Sequence, residues 1–119
     1  MIKFTTELKV SEIPNRPMWW VLDEDLVCVY LDRVFVVPKG FETDFASVPR
    51  VLWAVVPPYG EHTKAAVLHD YLYSGGYKLE RLECDNIFKQ AMIASGVSEI
   101  KANTMYTGVR SFGWMFFYK

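Results

Sequence analysis

Cysteine and histidine are scarce in this chain of 119 residues, at two each. Cys28 and Cys84 stand alone, with no C-x-x-C and no Cys/His array. That excludes a disulfide framework and a zinc knuckle and leaves two reduced, buried thiols. Charge of one sign is equally lacking. Thirteen Lys and Arg are scattered among fourteen Asp and Glu, for a net charge of −1. Without a basic run or stripe, a nucleic-acid backbone is excluded as partner. No apolar stretch approaches the ~20 residues of a membrane span. The start M-I-K-F-T-T-E-L has no charged segment leading into an apolar run, so synthesis and folding in the cytoplasm are expected. Internal repeats and low-complexity segments are absent as well.

What is abundant is apolar and aromatic. Hydrophobic residues make up 51% and aromatics 16% of the chain, enough for one globular domain over 1–119. The expected fold class is α+β: a small N-terminal antiparallel β-sheet over 1–38, a motif loop over 39–58 and a helical half over 59–119. Ile2–Val10 alternates loosely as a strand, and Met18–Leu22 is a compact apolar run. Leu26–Leu31 and Val34–Val37 read as a tight hairpin about Asp32-Arg33. After Pro38-Lys39-Gly40, the stretch F-E-T-D-F-A-S-V-P-R keeps neither strand nor helix period. It sets Glu42, Thr43, Asp44 and Ser47 between Phe41, Phe45 and Val48, a pattern in which polar side chains bond backbone amides and fix a loop. Asp44 is either such an Asx turn or a partner of a site downstream, and Arg50 is the cation placed to neutralise it. Val51–Val56, with Trp53, is a short apolar bridge closed by Pro57-Pro58.

Three helices follow. Glu61 gives the first an acidic opening turn, Ala65, Ala66, Leu68, Leu72 and Tyr73 form its i, i+3, i+4 stripe, and Ser74-Gly75-Gly76 ends it. A second runs from about Leu79 to Ser95, with Cys84, Ile87, Phe88, Ala91 and Met92 inward. Gly96 caps it, Ser98 caps the third, and Ala102, Met105, Val109 and Phe116 carry the stripe towards the C-terminus. The first two helices form an antiparallel hairpin across the Gly-Gly turn. The aromatic tail S-F-G-W-M-F-F-Y-K is either a terminal helix packed on the sheet or a docking surface.

Within A-A-V-L-H-D-Y-L-Y, His69 lies inside the apolar stripe and Asp70 one step round from it. Ionisable groups there are costly unless paired, metal-bound or facing a cleft. Asp85 sits at the edge of the buried face of the second helix, sixteen residues on, where the hairpin brings it beside His69. A histidine with one ring nitrogen held by a buried carboxylate can use the other to take a proton from water. Asp70 faces elsewhere and could bind a hard cation with loop carbonyls.

H-D-Y-L-Y (69 to 73) with D-x-x-F (85 to 88) resembles the catalytic helix pair of the phospholipase A2 families. That resemblance implies His69 and Asp85 as the catalytic pair, Asp70 as a calcium ligand and Tyr73 as a further hydrogen-bond support. Loop ligands for calcium would come from F-E-T-D-F-A-S-V-P. The flanking cysteines and the Gly-rich calcium loop of those enzymes are missing here, and the link between the helices is shorter.

A wider resemblance covers most of the chain. F-x-T-D-x-A-S-V-P, a Trp-containing apolar segment, A-A-V-x-H-D-Y-L-Y and D-x-x-F-x-x-A-M, in that order, resemble a family of small tailed-phage and prophage proteins classed as a domain of unknown function. This implies a viral product made in the host cytoplasm and incorporated in the virion or its tail. Two functions remain open. One is a small hydrolase acting on an ester or amide, with envelope lipid as a substrate. The other is a virion structural or interaction protein in which Asp44, Arg50, His69, Asp70 and Asp85 are a buried polar network. Its partners would be other phage proteins or a second copy, through the aromatic tail. Inhibition of a host protein is a third idea, with no residue that argues for it.

Overall fold

The structure, a computed structural model, describes residues 2–48, 52 and 62–117. The fold is α+β, with antiparallel sheets followed by three helices. It divides into two compact units, Met1–Asp44 and Phe45–Lys119.

In the first unit the expected sheet is realised as two three-stranded antiparallel sheets. Sheet one orders β1 (Ile2–Phe4), β4 (Leu26–Tyr30) and β5 (Arg33–Val37) as β1-β4-β5. Its register opposes Leu26 to Val37 and Cys28 to Phe35, four buried side chains on one face. The hairpin therefore turns on Leu31-Asp32, one residue earlier than expected. A turn at Asp32-Arg33 would set Leu26 opposite Lys39 and lose that apolar pair. Leu31 takes φ 58° to make the turn.

The second sheet orders β2 (Val10–Glu12), β3 (Trp20–Leu22) and β6 (Glu42–Thr43) as β2-β3-β6. Two sequence readings are corrected by it. Ile2–Val10 is not one strand but β1, a break and the start of β2. The sheet does not end at Pro38, because Glu42 and Thr43 pair with Val21 and Trp20. Strands of two or three residues are too short for alternation to show.

The second unit contains α1 (Thr63–Tyr73), α2 (Arg81–Ala94), α3 (Glu99–Phe112) and a 3-10 turn, Gly113–Met115. Eight of the eleven α1 residues are buried, so this helix is enclosed round most of its circumference rather than along one stripe. Both α1 and α2 end in the same device. Gly75 and Gly96 take φ 92° and 98°. The next amides, Gly76 and Val97, bond back to the carbonyls of Tyr71 and Met92 at 3.3 and 3.0 Å, the Schellman pattern. Ser98 caps α3 by accepting the Lys101 amide. The α3 stripe of Ala102, Met105 and Val109 is buried, but it does not reach Phe116. The helix stops at Phe112, and Phe116 lies beyond the 3-10 turn, 42% exposed. Glu61, Arg50, Trp53 and the Val51–Val56 bridge lie outside the described residues, Leu52 excepted. No helix among the described residues is long and apolar enough to cross a membrane.

Candidate functional site

His69 projects from the middle of α1 and Asp85 from the first turns of α2, and both are fully buried. The hairpin link brings His69 Nε2 to 2.8 Å from Asp85 Oδ1, the pairing expected from their spacing. Tyr73, one turn after His69, donates its hydroxyl to the same oxygen at 2.6 Å. The imidazole is held between two rings, Tyr73 at 4.1 Å and Phe88 at 4.4 Å between centroids.

The other carboxylate oxygen faces cations. Arg110 Nη1 of α3 lies 2.9 Å from Asp85 Oδ2, and Arg81 Nη1, four residues back along α2, lies at 3.6 Å. Arg81 also donates to the Val109 and Arg110 carbonyls at 2.9 and 3.1 Å. It thereby adds a second donor to the Val109 carbonyl, which also accepts the Gly113 amide, and holds the Arg110 carbonyl in the last turn of α3. Burial pushes the Asp85 carboxyl up, but hydrogen bonds and charge from His69, then Tyr73 and Arg110, outweigh it and hold Asp85 below the usual carboxylate range. Burial first, and the Asp85 carboxylate second, push the Tyr73 phenol up. Asp85 is thus an ionised acceptor and Tyr73 a neutral donor, so His69 Nε2 must carry a proton.

On the far side of the ring, His69 Nδ1 lies 3.0 Å from Ser47 Oγ. The nitrogen that sequence reasoning left for water is therefore occupied by a serine from the F-E-T-D-F-A-S-V-P stretch. When the imidazole is neutral, the hydroxyl donates to Nδ1; when it is protonated, Nδ1 donates to the hydroxyl. Ser47 is itself buried. Its amide donates to Asp70 Oδ1 at 3.1 Å, and Phe45, two residues before it, has φ 61°. The loop start is thus tied to α1 at two successive residues, side chain to His69 and backbone to Asp70.

Of the residues singled out from the sequence, the structure brings together Ser47, His69, Asp70, Tyr73 and Asp85. Asp44 closes the first unit, and Arg50 lies outside the described residues. Arg81 and Arg110 were missed. Arg81 was legible, because a cation four residues before a buried helical carboxylate is its natural partner; Arg110 carried no signal of its own. Asp70 was the expected calcium ligand. One of its oxygens already holds the Ser47 amide, and no three His, Cys, Asp or Glu residues converge among the described residues. A hard cation wants six to eight oxygens.

Gly113 completes the site from the C-terminal side. A Cβ there would stand 2.5 Å from Tyr73 Oη and 3.3 Å from Arg81 Nη1, so the chain passes directly against the network. Phe117 then meets the Tyr73 ring edge-on at 5.2 Å.

Two uncharacterized proteins of Sinorhizobium fredii are similar in sequence. Protein y4jT is 34% identical over 79 residues, which cover 65% of this chain and 23% of the relative. Protein y4iH is 31% identical over 113 residues, covering 92% of this chain and 47% of the relative. The chain thus spans less than half the length of either relative. No solved structure matches. The family model described as a protein of unknown function, DUF1353, matches residues 20–109, a range that includes Ser47, His69, Asp70, Tyr73, Arg81 and Asp85 and stops one residue before Arg110, and the chain belongs to that family.

Proposed function

We propose that this chain is a non-catalytic interaction protein of a tailed-phage or prophage particle, made in the host cytoplasm. In this reading the Ser47–His69–Asp85 network is architectural. The observation that carries it is the enclosure of His69, which is 0% exposed with both ring nitrogens hydrogen-bonded. General-base chemistry needs a nitrogen that a reactant can reach, and here each is filled by a side chain of the protein itself. The network ties the loop start, α1, α2 and the end of α3 to one carboxylate. A fully satisfied buried network of this kind fixes one packing arrangement.

A second reading is favoured by one observation: Ser47 Oγ, His69 and Asp85 stand in hydrogen-bonded sequence at 3.0 and 2.8 Å, the order of a nucleophile, base and orienting carboxylate. This is the small hydrolase acting on an ester or amide, with Ser47 in the place of water. One experiment separates the two. Wild type and His69→Gln are assayed for p-nitrophenyl ester and phospholipid hydrolysis, with the fold of each checked by circular dichroism. The architectural reading expects no turnover by either protein and a lower thermal midpoint for His69→Gln. Turnover by wild type that disappears in a folded His69→Gln variant would overturn it in favour of the hydrolase.

A further inference from the structure

The network accounts for the buried polar groups of the helical unit but not for the surface that follows α3. Phe112, Trp114, Met115 and Phe116 are 49%, 60%, 55% and 42% exposed, grouped about the buried Gly113. Single exposed apolar residues are ordinary; four of the largest types within five positions are not. Gly113 is seated against Tyr73 and Arg81, and Phe117 packs on the Tyr73 ring, so the turn is anchored to the helices on both sides of its exposed rings.

We infer that the aromatic turn 112–116 is a lipid contact through which the chain docks peripherally on an anionic membrane surface. Area and charge both point there. Side chains of this size bury roughly 150–250 Å² each when covered, so at these exposures the four offer on the order of 400 Å². That is about half of the ~800 Å² that each partner gives to a stable protein interface, and it is short for a second copy. An interfacial site needs no matching surface, only rings that can enter the headgroup boundary and a local charge that is not repelled. Residues 100–119 carry Lys101, Arg110 and Lys119 and no acidic residue, whereas residues 1–44 carry eight acids against five bases. The negative charge of the chain is therefore kept out of the segment that bears the rings. Arg110 and Arg81, which borders Gly113, share the single carboxylate of Asp85, which leaves a net positive charge beside the turn, and anionic lipid near basic residues is favourable. The turn is independent of whether His69 is architectural or catalytic.

The test is co-sedimentation of the full chain with phosphatidylcholine vesicles, with and without phosphatidylglycerol, for wild type and the double variant Trp114→Ser, Phe116→Ser. Both positions are exposed, and an unchanged denaturation midpoint separates lost binding from lost fold. Wild type is expected to sediment with the phosphatidylglycerol vesicles and less with phosphatidylcholine alone. The double variant should lose roughly tenfold or more of that partitioning, as the removal of two large apolar side chains requires. Wild type left in the supernatant with both vesicle types, or a double variant that binds as well as wild type, would overturn the inference. So would a wild-type dimer in size-exclusion chromatography that the double substitution converts to monomer, since the surface would then belong to a second copy.

Discussion

The two units use polar side chains in opposite ways. In residues 1–44 two ion pairs lie at the surface: Lys9 with Glu24 at 3.0 Å and Arg16 with Glu42 at 2.6 Å, each partner at least 42% exposed. Ser11 to Asp23 is likewise exposed. The sheets are held by apolar faces such as Leu26, Cys28, Phe35 and Val37, and their charges decorate the outside. In residues 45–119 the central charge, Asp85, is at 0% exposure with four side chains converging on it. Surface pairs add little because water competes for both partners. A buried carboxylate has been stripped of water, so each partner that remains is needed. The first unit can therefore lose a charge cheaply, and the second cannot.

The most direct way to break that comparison is to remove Asp85. Asp85→Ala removes the acceptor of Arg110 and of His69 Nε2 and leaves Arg81 with only the carbonyls at the end of α3. The expected loss is about 3–5 kcal/mol, read from the urea midpoint. A loss under about 1 kcal/mol would mean that water reaches the network. A gentler perturbation is pH. Asp85 is held below its unfolded value near ~3.9, so its contribution is whole above that value and is lost as pH falls through the folded one. Burial raises Cys28 to about 11 and Cys84 to about 12 from 9.0. Their contribution is whole below about 9 and declines as pH rises towards those values. Followed by hydrogen exchange, the acid loss should appear in 62–112, whereas the alkaline loss should appear in both units, since each holds one of the thiols. The smallest effect belongs to the surface. Arg16→Ala, which removes the pair with Glu42 and a cation–π contact with Trp19 at 4.5 Å, should cost less than about 1 kcal/mol by the same denaturation measurement.

The sequence was most legible where a long element carried a period. The three helices, their glycine stops, and the meeting of His69 with Asp85 follow from spacing along α1 and α2. The two sheets were less legible because β2 and β6 are three and two residues long and mostly polar. Val-Ser-Glu and Glu-Thr become strands only because Trp20–Leu22 lies between them. Ser47 was visible as a loop-fixing residue, but nothing local says that its hydroxyl reaches an imidazole twenty-two residues away. Phe116 was misplaced for the converse reason. An apolar residue at helical spacing looks inward until the helix stops, and Gly113, pressed against Tyr73, carries no mark in the sequence of what it touches.

The matched ends of α1 and α2 give the site a ruler. Each helix is stopped at a fixed distance beyond its functional residue, with His69 six residues before Gly75 and Asp85 eleven before Gly96. The segment between Gly76 and Glu80 lies outside both helices and can change length without turning either side chain. One residue gained or lost between Asp85 and Ile87 is different: it rotates the carboxylate about 100° round the helix axis relative to Ile87, Phe88, Ala91 and Met92 and carries it off the buried face. Among longer relatives, insertions in the link should be tolerated and insertions in that half-turn should not, so a relative's spacing alone tells whether it can build this centre.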